Sequence, residues 1–295
     1  MKFDKLLRKH GIGNSDLKFF KKLQGKYTPN SEYLWSGSDS KQAHLDSEKT
    51  HPEKFKYWKD RSITYKYNNL GFRSDFDFKP GMQGDLYLGC SFTEGVGLPN
   101  DRTWVSFLSK QLGTPAFNLG TGGWGIETCF RYLIAAYIFG LKFKNVFVLA
   151  PPPNRYEQLI DDNHLFKSYL STRHQEDKTL NTLPSMMNHY WSDEVILNKM
   201  DKFLVSFLIG GRNNSLANTL RTVLAMQAFT IEAGANFHYY TYEELSKLHH
   251  FKAALKSQDK QRLVPARDGH WASYYHKYLT GLFLTDYPNL TKSLI

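Results

Sequence analysis

Between Asp85 and Thr241 short apolar runs alternate with longer stretches of helical period, an order that few folds accommodate. Leu86 to Leu88, Pro115 to Leu119, Asn145 to Ala150 and Asn236 to Thr241 read as strands. The first three are apolar without strict alternation, the pattern of a strand covered on both faces. A helix is expected near 103–112, where Trp104, Val105, Leu108 and Leu112 share a face. Another is expected near 125–140, where Ile126, Phe130, Leu133, Ile134, Tyr137 and Ile138 fall at i, i+4, i+7, i+8, i+11 and i+12. Further helices are expected near 215–233, from Tyr242 onward, and near 271–285. Strands alternating with helices need right-handed crossovers, which gives a parallel sheet in a three-layer sandwich. Open sheets of this kind keep their sites outside the carboxyl ends of the strands.

The flanking regions are less regular. Residues 1–61 hold 14 Lys and Arg against 8 Asp and Glu, a large share of the chain's net charge of +10, and read as a basic N-terminal appendage. The bland reading of that charge is a solvated face, and no nucleic-acid-binding motif favours another. Ile63, Tyr65 and Tyr67 alternate as in an edge strand that ends at Asn68-Asn-Leu-Gly71; Arg73 is expected to hold a carboxylate. The remainder, 62–295, reads as one domain with an insertion at about 155–212, a lid or substrate wall. Charge interrupts the first ten residues, so no signal-peptide core is expected, and the longest apolar run, Leu133 to Phe139, is too short to span a bilayer. A soluble protein, cytoplasmic by default, is the expectation. Two cysteines, Cys90 and Cys129, are too few for a disulfide framework.

The candidate chemistry gathers at strand ends. After the strand at Asp85, Gly89 permits a sharp turn and Ser91 is presented at the sheet edge, where a base and oxyanion donors would make it a nucleophile. Cys90, its neighbour, should point to the opposite side. The loop Asn118 to Gly125 has two readings. Gly120, Gly122 and Gly125 match a dinucleotide fingerprint, but the next strand ends in Ala150-Pro-Pro-Pro153 without the acidic residue a ribose needs. The other reading sets the backbone N–H of Gly123 toward an anion forming at Ser91. Asn154 could be a further oxyanion donor or could simply close the proline turn. Among the eleven histidines His270 stands out, because Asp268 two residues earlier could orient its imidazole; the alternative is a loop pair that caps the last helix. Asp161, Asp162 and His164 lack partners at metal-ligand spacing, so no metal is expected. Arg155, Tyr156 and His164 open the insertion beside these groups and are candidate substrate-wall residues, with Tyr169, Tyr190 and Trp191 offering flat faces for sugar rings.

Taken together, Gly89-Cys-Ser-Phe-Thr-Glu-Gly95, Asn118 to Gly123, Asn154 and Asp268-Gly-His270 resemble, in order, the first, second, third and fifth blocks of the SGNH or GDSL-type hydrolases. The resemblance covers about residues 63–285. Three positions depart from the family pattern. Cys90 stands where the family has Asp, the third block lacks its usual Gly and following Asp, and Asp-x-His replaces Asp-x-x-His. The last departure is similar to alginate-type O-acetyltransferases of the same superfamily. The resemblance implies a flavodoxin-like α/β/α sandwich with about five parallel strands. It also implies ester hydrolysis without a cofactor: Ser91 as nucleophile, His270 as base, Asp268 as its orienter. The oxyanion would be received by the N–H groups of Ser91 and Gly123 and the Asn154 amide. The expected substrate is a small O-acyl ester, such as an acetyl on a carbohydrate, and the setting bacterial or phage, with virion association as an option. An O-acyltransferase with the same triad and a non-catalytic carbohydrate-binding or phage structural component remain as alternatives.

Overall fold

The structure, a computed structural model, describes residues 22–153, 155–159, 165–169, 212–241, 264–268 and 270–287. Four strands form the central sheet: β3 (Gln83–Gly89), β4 (Ala116–Asn118), β5 (Lys142–Ala150) and β8 (Asn236–Thr241). They are all parallel, in the spatial order β4-β3-β5-β8. Counted along the chain this is 2-1-3-4, the beginning of the flavodoxin-like order, with its switch point between β3 and β5.

Strand periodicity divides the core into two layers. Leu86, Leu88, Val146 and Val148 face helices α5 (Ile126–Phe139) and α6 (Arg212–Glu232), where Cys129, Leu133, Val223 and Met226 meet them. Tyr87, Phe147 and Leu149 face the opposite way, onto Trp104, Leu108 and Leu112 of α4 (Trp104–Leu112) and Leu279 and Phe283 of α7 (Ser273–Asp286). Helices on both faces follow from strands that are apolar on both sides. Thr103 begins α4 by accepting a hydrogen bond from the N–H of Ser106 at 3.3 Å.

Two expectations need correction. The central sheet has four strands among the described residues, not about five. The alternating segment before it, β2 (Tyr65–Tyr67), is a strand as expected and pairs antiparallel with β1 (Ser31–Tyr33), outside the central sheet. The reason lies in its side chains. Ile63, Tyr65 and Tyr67 bury with Trp58 in a separate cluster, and both tyrosine hydroxyls end on polar groups. Arg73 is buried but among the described residues meets no carboxylate: it donates to the carbonyls of Glu94, Gly95 and Leu98 and lies over the Tyr65 ring. Carbonyls at and just beyond the end of a short helix offer acceptors to this buried guanidinium.

Residues 22–61 are integral to this arrangement. Helices α1 (Lys41–Thr50) and α2 (Pro52–Trp58) follow β1, and the Trp58 indole donates to the Pro265 carbonyl at 3.0 Å. After β5 the chain forms an antiparallel pair, β6 (Arg155–Leu159) with β7 (Leu165–Tyr169). The helix expected from Tyr242 lies outside the described residues.

Candidate active site

Ser91 is the first residue of the one-turn helix α3 (Ser91–Glu94), immediately beyond the carboxyl end of β3. The turn can be this sharp because position 89 has no side chain: a Cβ there would stand 2.1 Å from Thr93 Oγ1 and 2.8 Å from the Leu149 carbonyl. The loop after β4 is drawn over the same edge. Leu119 and Thr121 donate from their N–H groups to the carbonyls of Tyr87 and Gly89, and the Asn118 amide donates to the Thr93 carbonyl at 3.0 Å. That brings Gly122 and Gly123 beside Ser91.

The third element is the loop before α7. Here the His270 imidazole lies between two partners, with Nδ1 2.6 Å from Asp268 Oδ2 and Nε2 2.6 Å from Ser91 Oγ. An ionised Asp268 only accepts, so Nδ1 carries the proton and Nε2 is left to accept from the Ser91 hydroxyl. The Asp268 side chain is almost wholly buried, whereas His270 keeps 14% exposure toward the site. Burial alone would raise the Asp268 carboxyl. The hydrogen bond and charge of His270, with the Ser38 hydroxyl, outweigh it and hold the carboxyl below its usual range. The Phe92 ring braces the imidazole, centroid to centroid at 4.8 Å.

A cavity of about 500 Å³ opens over this chain of groups, lined among others by Lys26, Tyr27, Ser38, Glu94, Gly123 and Arg155. Among the described residues the N–H groups of Ser91 and Gly123 meet no acceptor, and both border the cavity. Ser91, Asp268 and His270 are therefore brought together, and Gly123 and Arg155 lie at the same cavity. Tyr156 is in β6, paired with Ser168. Asn154 and His164 lie outside the described residues, as do Asp161 and Asp162. Cys90 is buried with 1% exposure and does not line the cavity. No group of three or more His, Cys, Asp or Glu among the described residues could hold a metal ion. No helix among them is long and apolar enough to cross a membrane.

Several site residues escaped sequence reading. Glu94 is buried beneath the cavity, where its carboxylate accepts from the Gly122 N–H at 2.6 Å and the Tyr67 hydroxyl at 3.0 Å. It stands inside the Gly89–Gly95 block, but nothing in the sequence tells that its side chain turns inward. Ser38 and Asp39 come from a polar, turn-rich stretch without motif. Ser38 donates to Asp268 Oδ2 at 2.7 Å, and Asp39 forms a bidentate pair with Arg267 at 2.8 and 2.7 Å.

No family model matches the chain, and no curated protein matches it. Among solved structures it is similar to the crystal structure of a member of the lipolytic protein G-D-S-L family from Veillonella parvula DSM 2008. The two are 9% identical with a TM-score of 0.32, over 70% of this chain and 98% of that one. Similarity at that level carries no functional weight.

Proposed function

We propose that this protein is a serine ester hydrolase that removes a small O-acyl group from an alcohol through an acyl-enzyme on Ser91. The observation that carries the reading is the continuous Asp268–His270–Ser91 chain, both links 2.6 Å, at the carboxyl edge of a parallel sheet. In this reading Ser91 Oγ attacks the acyl carbonyl carbon while its proton passes to His270 Nε2. The carbonyl oxygen becomes an oxyanion facing the N–H groups of Ser91 and Gly123. Collapse of the tetrahedral intermediate expels the alcohol, which takes the proton from Nε2 and leaves the acyl ester on Ser91. Water then attacks that ester, His270 accepts its proton, and the acid is released as Oγ is reprotonated. Asp268 stays ionised and stabilises the imidazolium in both halves.

The cavity supports a compact, hydroxyl-rich alcohol such as an acylated carbohydrate. Among the described residues that line it only Val96 is aliphatic, whereas Lys26, Tyr27 and Arg155 offer donors and acceptors. A long acyl chain would want a continuous apolar wall.

The decisive experiment is incubation with an active-site-directed phosphonofluoridate and mass mapping of the adduct, beside turnover of acetyl and long-chain esters. Modification at Ser91, with Ser91→Ala lowering kcat by roughly 10⁴-fold or more while the fold survives, is expected. Modification elsewhere, or substantial activity in the alanine variant, would remove Ser91 from the mechanism. Added alcohols intercepting the acyl group faster than water would make the enzyme a transferase.

A further inference from the structure

Asp268 and His270 are only two residues apart, so the bonds between them set their mutual geometry but not where Nε2 points. That direction depends on anchors outside the loop. Lys54 Nζ donates to the Asp268 carbonyl at 3.1 Å, the Arg267 N–H donates to the Gly97 carbonyl at 2.8 Å, and the Arg267 side chain pairs with Asp39. All of these hold backbone or the neighbouring residue. On the carboxylate itself, among the described residues, Oδ1 accepts only from the His270 N–H at 3.0 Å, and Oδ2 accepts from Nδ1 and from Ser38. Ser38 is thus the one donor to the carboxylate, among the described residues, that comes from outside the Asp268–His270 loop.

We propose that Ser38 is a positioning residue of this site, its hydroxyl fixing the plane of the Asp268 carboxylate so that His270 Nε2 is aimed at Ser91. The inference rests on the hydrolase reading above. The geometry that presents Ser38 is built for constancy. Gly37 and Ser38 form the tip of a turn whose ends, Ser36 and Asp39, exchange both backbone hydrogen bonds at 2.9 and 3.1 Å. Both ends are buried, Asp39 against Arg267 and Tyr65, and Ser36 against the hydroxyls of Tyr27 and Tyr67. The tip itself is exposed, so removing one hydroxyl there disturbs no packing. Two donors on one carboxylate oxygen restrict rotation of the carboxyl plane more than either does alone, and a bond to a charged acceptor is among the stronger ones. A site whose orienting carboxylate is loosened loses transition-state alignment rather than substrate affinity.

Ser38→Ala and Ser38→Thr in the full chain test this, with a short-chain acetyl ester as probe and proton NMR of the downfield His270 Nδ1–H resonance. The expected result is that the alanine variant loses about tenfold in kcat with KM unchanged and shifts the resonance, while threonine restores both. An alanine variant with wild-type kcat would overturn the proposal. So would a kcat loss that threonine does not restore while the resonance stays in place. If the wild-type protein neither turns over esters nor labels at Ser91, the hydrolase reading falls. The resonance then decides alone: its shift in Ser38→Ala keeps Ser38 as the residue that positions Asp268, and its constancy removes it.

Discussion

Gly97 marks how tightly the orienting carboxylate is enclosed. Its φ is +83°, and a Cβ there would stand 2.3 Å from Asp268 Oδ1. Gly97→Ala therefore combines a left-handed backbone strain of about 1–2 kcal/mol with displacement of Asp268. Gly81 is the control, since its φ is +85° but nothing lies within 4 Å of the added Cβ. Both variants are expected to lose similar stability from the backbone term in urea unfolding, with a further loss in Gly97→Ala. Only Gly97→Ala is expected to lose ester turnover, by about an order of magnitude or more. Equal activity in the two variants would show that the packing around Asp268 has no bearing on the chemistry.

At the scale of elements, the segment with β1, α1 and α2 is joined to the loop before α7 by a buried ion pair. Arg267 and Asp39 expose 2% and 1% of their side chains, and the guanidinium also lies 3.8 Å above the Trp35 ring. Such a pair adds modest net stability but is costly to break from one side, because the remaining charge keeps its desolvation and loses its partner. Asp39→Ala is expected to cost about 3–5 kcal/mol in denaturant unfolding, and adding Arg267→Met should recover part of that loss. If the single variant were as stable as the wild type, the segment could not be anchored through this pair. Because Ser38 adjoins Asp39, ester turnover should fall along with stability.

At the scale of the whole molecule, two buried histidines among the described residues weaken the fold as pH falls. Burial pushes His276 down to about 3, helped by the nearby charges of His270 and Arg73, and pushes His238 down to about 4. His276 Nδ1 accepts from the Trp104 N–H at 3.0 Å, and His238 stacks on Phe147. In the unfolded chain both take a proton near pH ~6.5, so the folded state binds fewer protons below that value. Their contribution is complete above pH ~6.5 and is lost as pH falls toward the folded values, with a limiting slope of about 2.7 kcal/mol per pH unit for two protons. Asp268, held low, adds to the loss at still lower pH, whereas Asp85, raised by burial, opposes it. His276→Asn, which keeps an acceptor for the Trp104 N–H, should make the slope between pH ~4.5 and ~6 about half as steep. A profile flat across that window in the wild type would contradict the buried, neutral state of both imidazoles.

Periodicity is a local property, and what it controls could be read from the sequence alone. The apolar runs at Leu86–Leu88 and Asn145–Ala150, with the helical spacing from Ile126, determine a parallel sheet between two helical layers, because strands apolar on both faces must be covered twice. The same pattern places Ser91 at a carboxyl end. Partners far apart along the chain are decided only by the tertiary structure. Tyr65–Tyr67 alternates like any edge strand, and it is the burial of its hydroxyls against Asp39 and Glu94 that takes it to β1 instead of the central sheet. Arg73 is expected from its charge to meet a carboxylate, but carbonyls at and just beyond the end of α3 receive it instead. Ser91 meets His270 across 179 positions, and Ser38 meets Asp268 across 230. A hydrogen bond is made by atoms a few ångströms apart in space, and sequence spacing carries no record of which distant loops a fold returns to the same sheet edge.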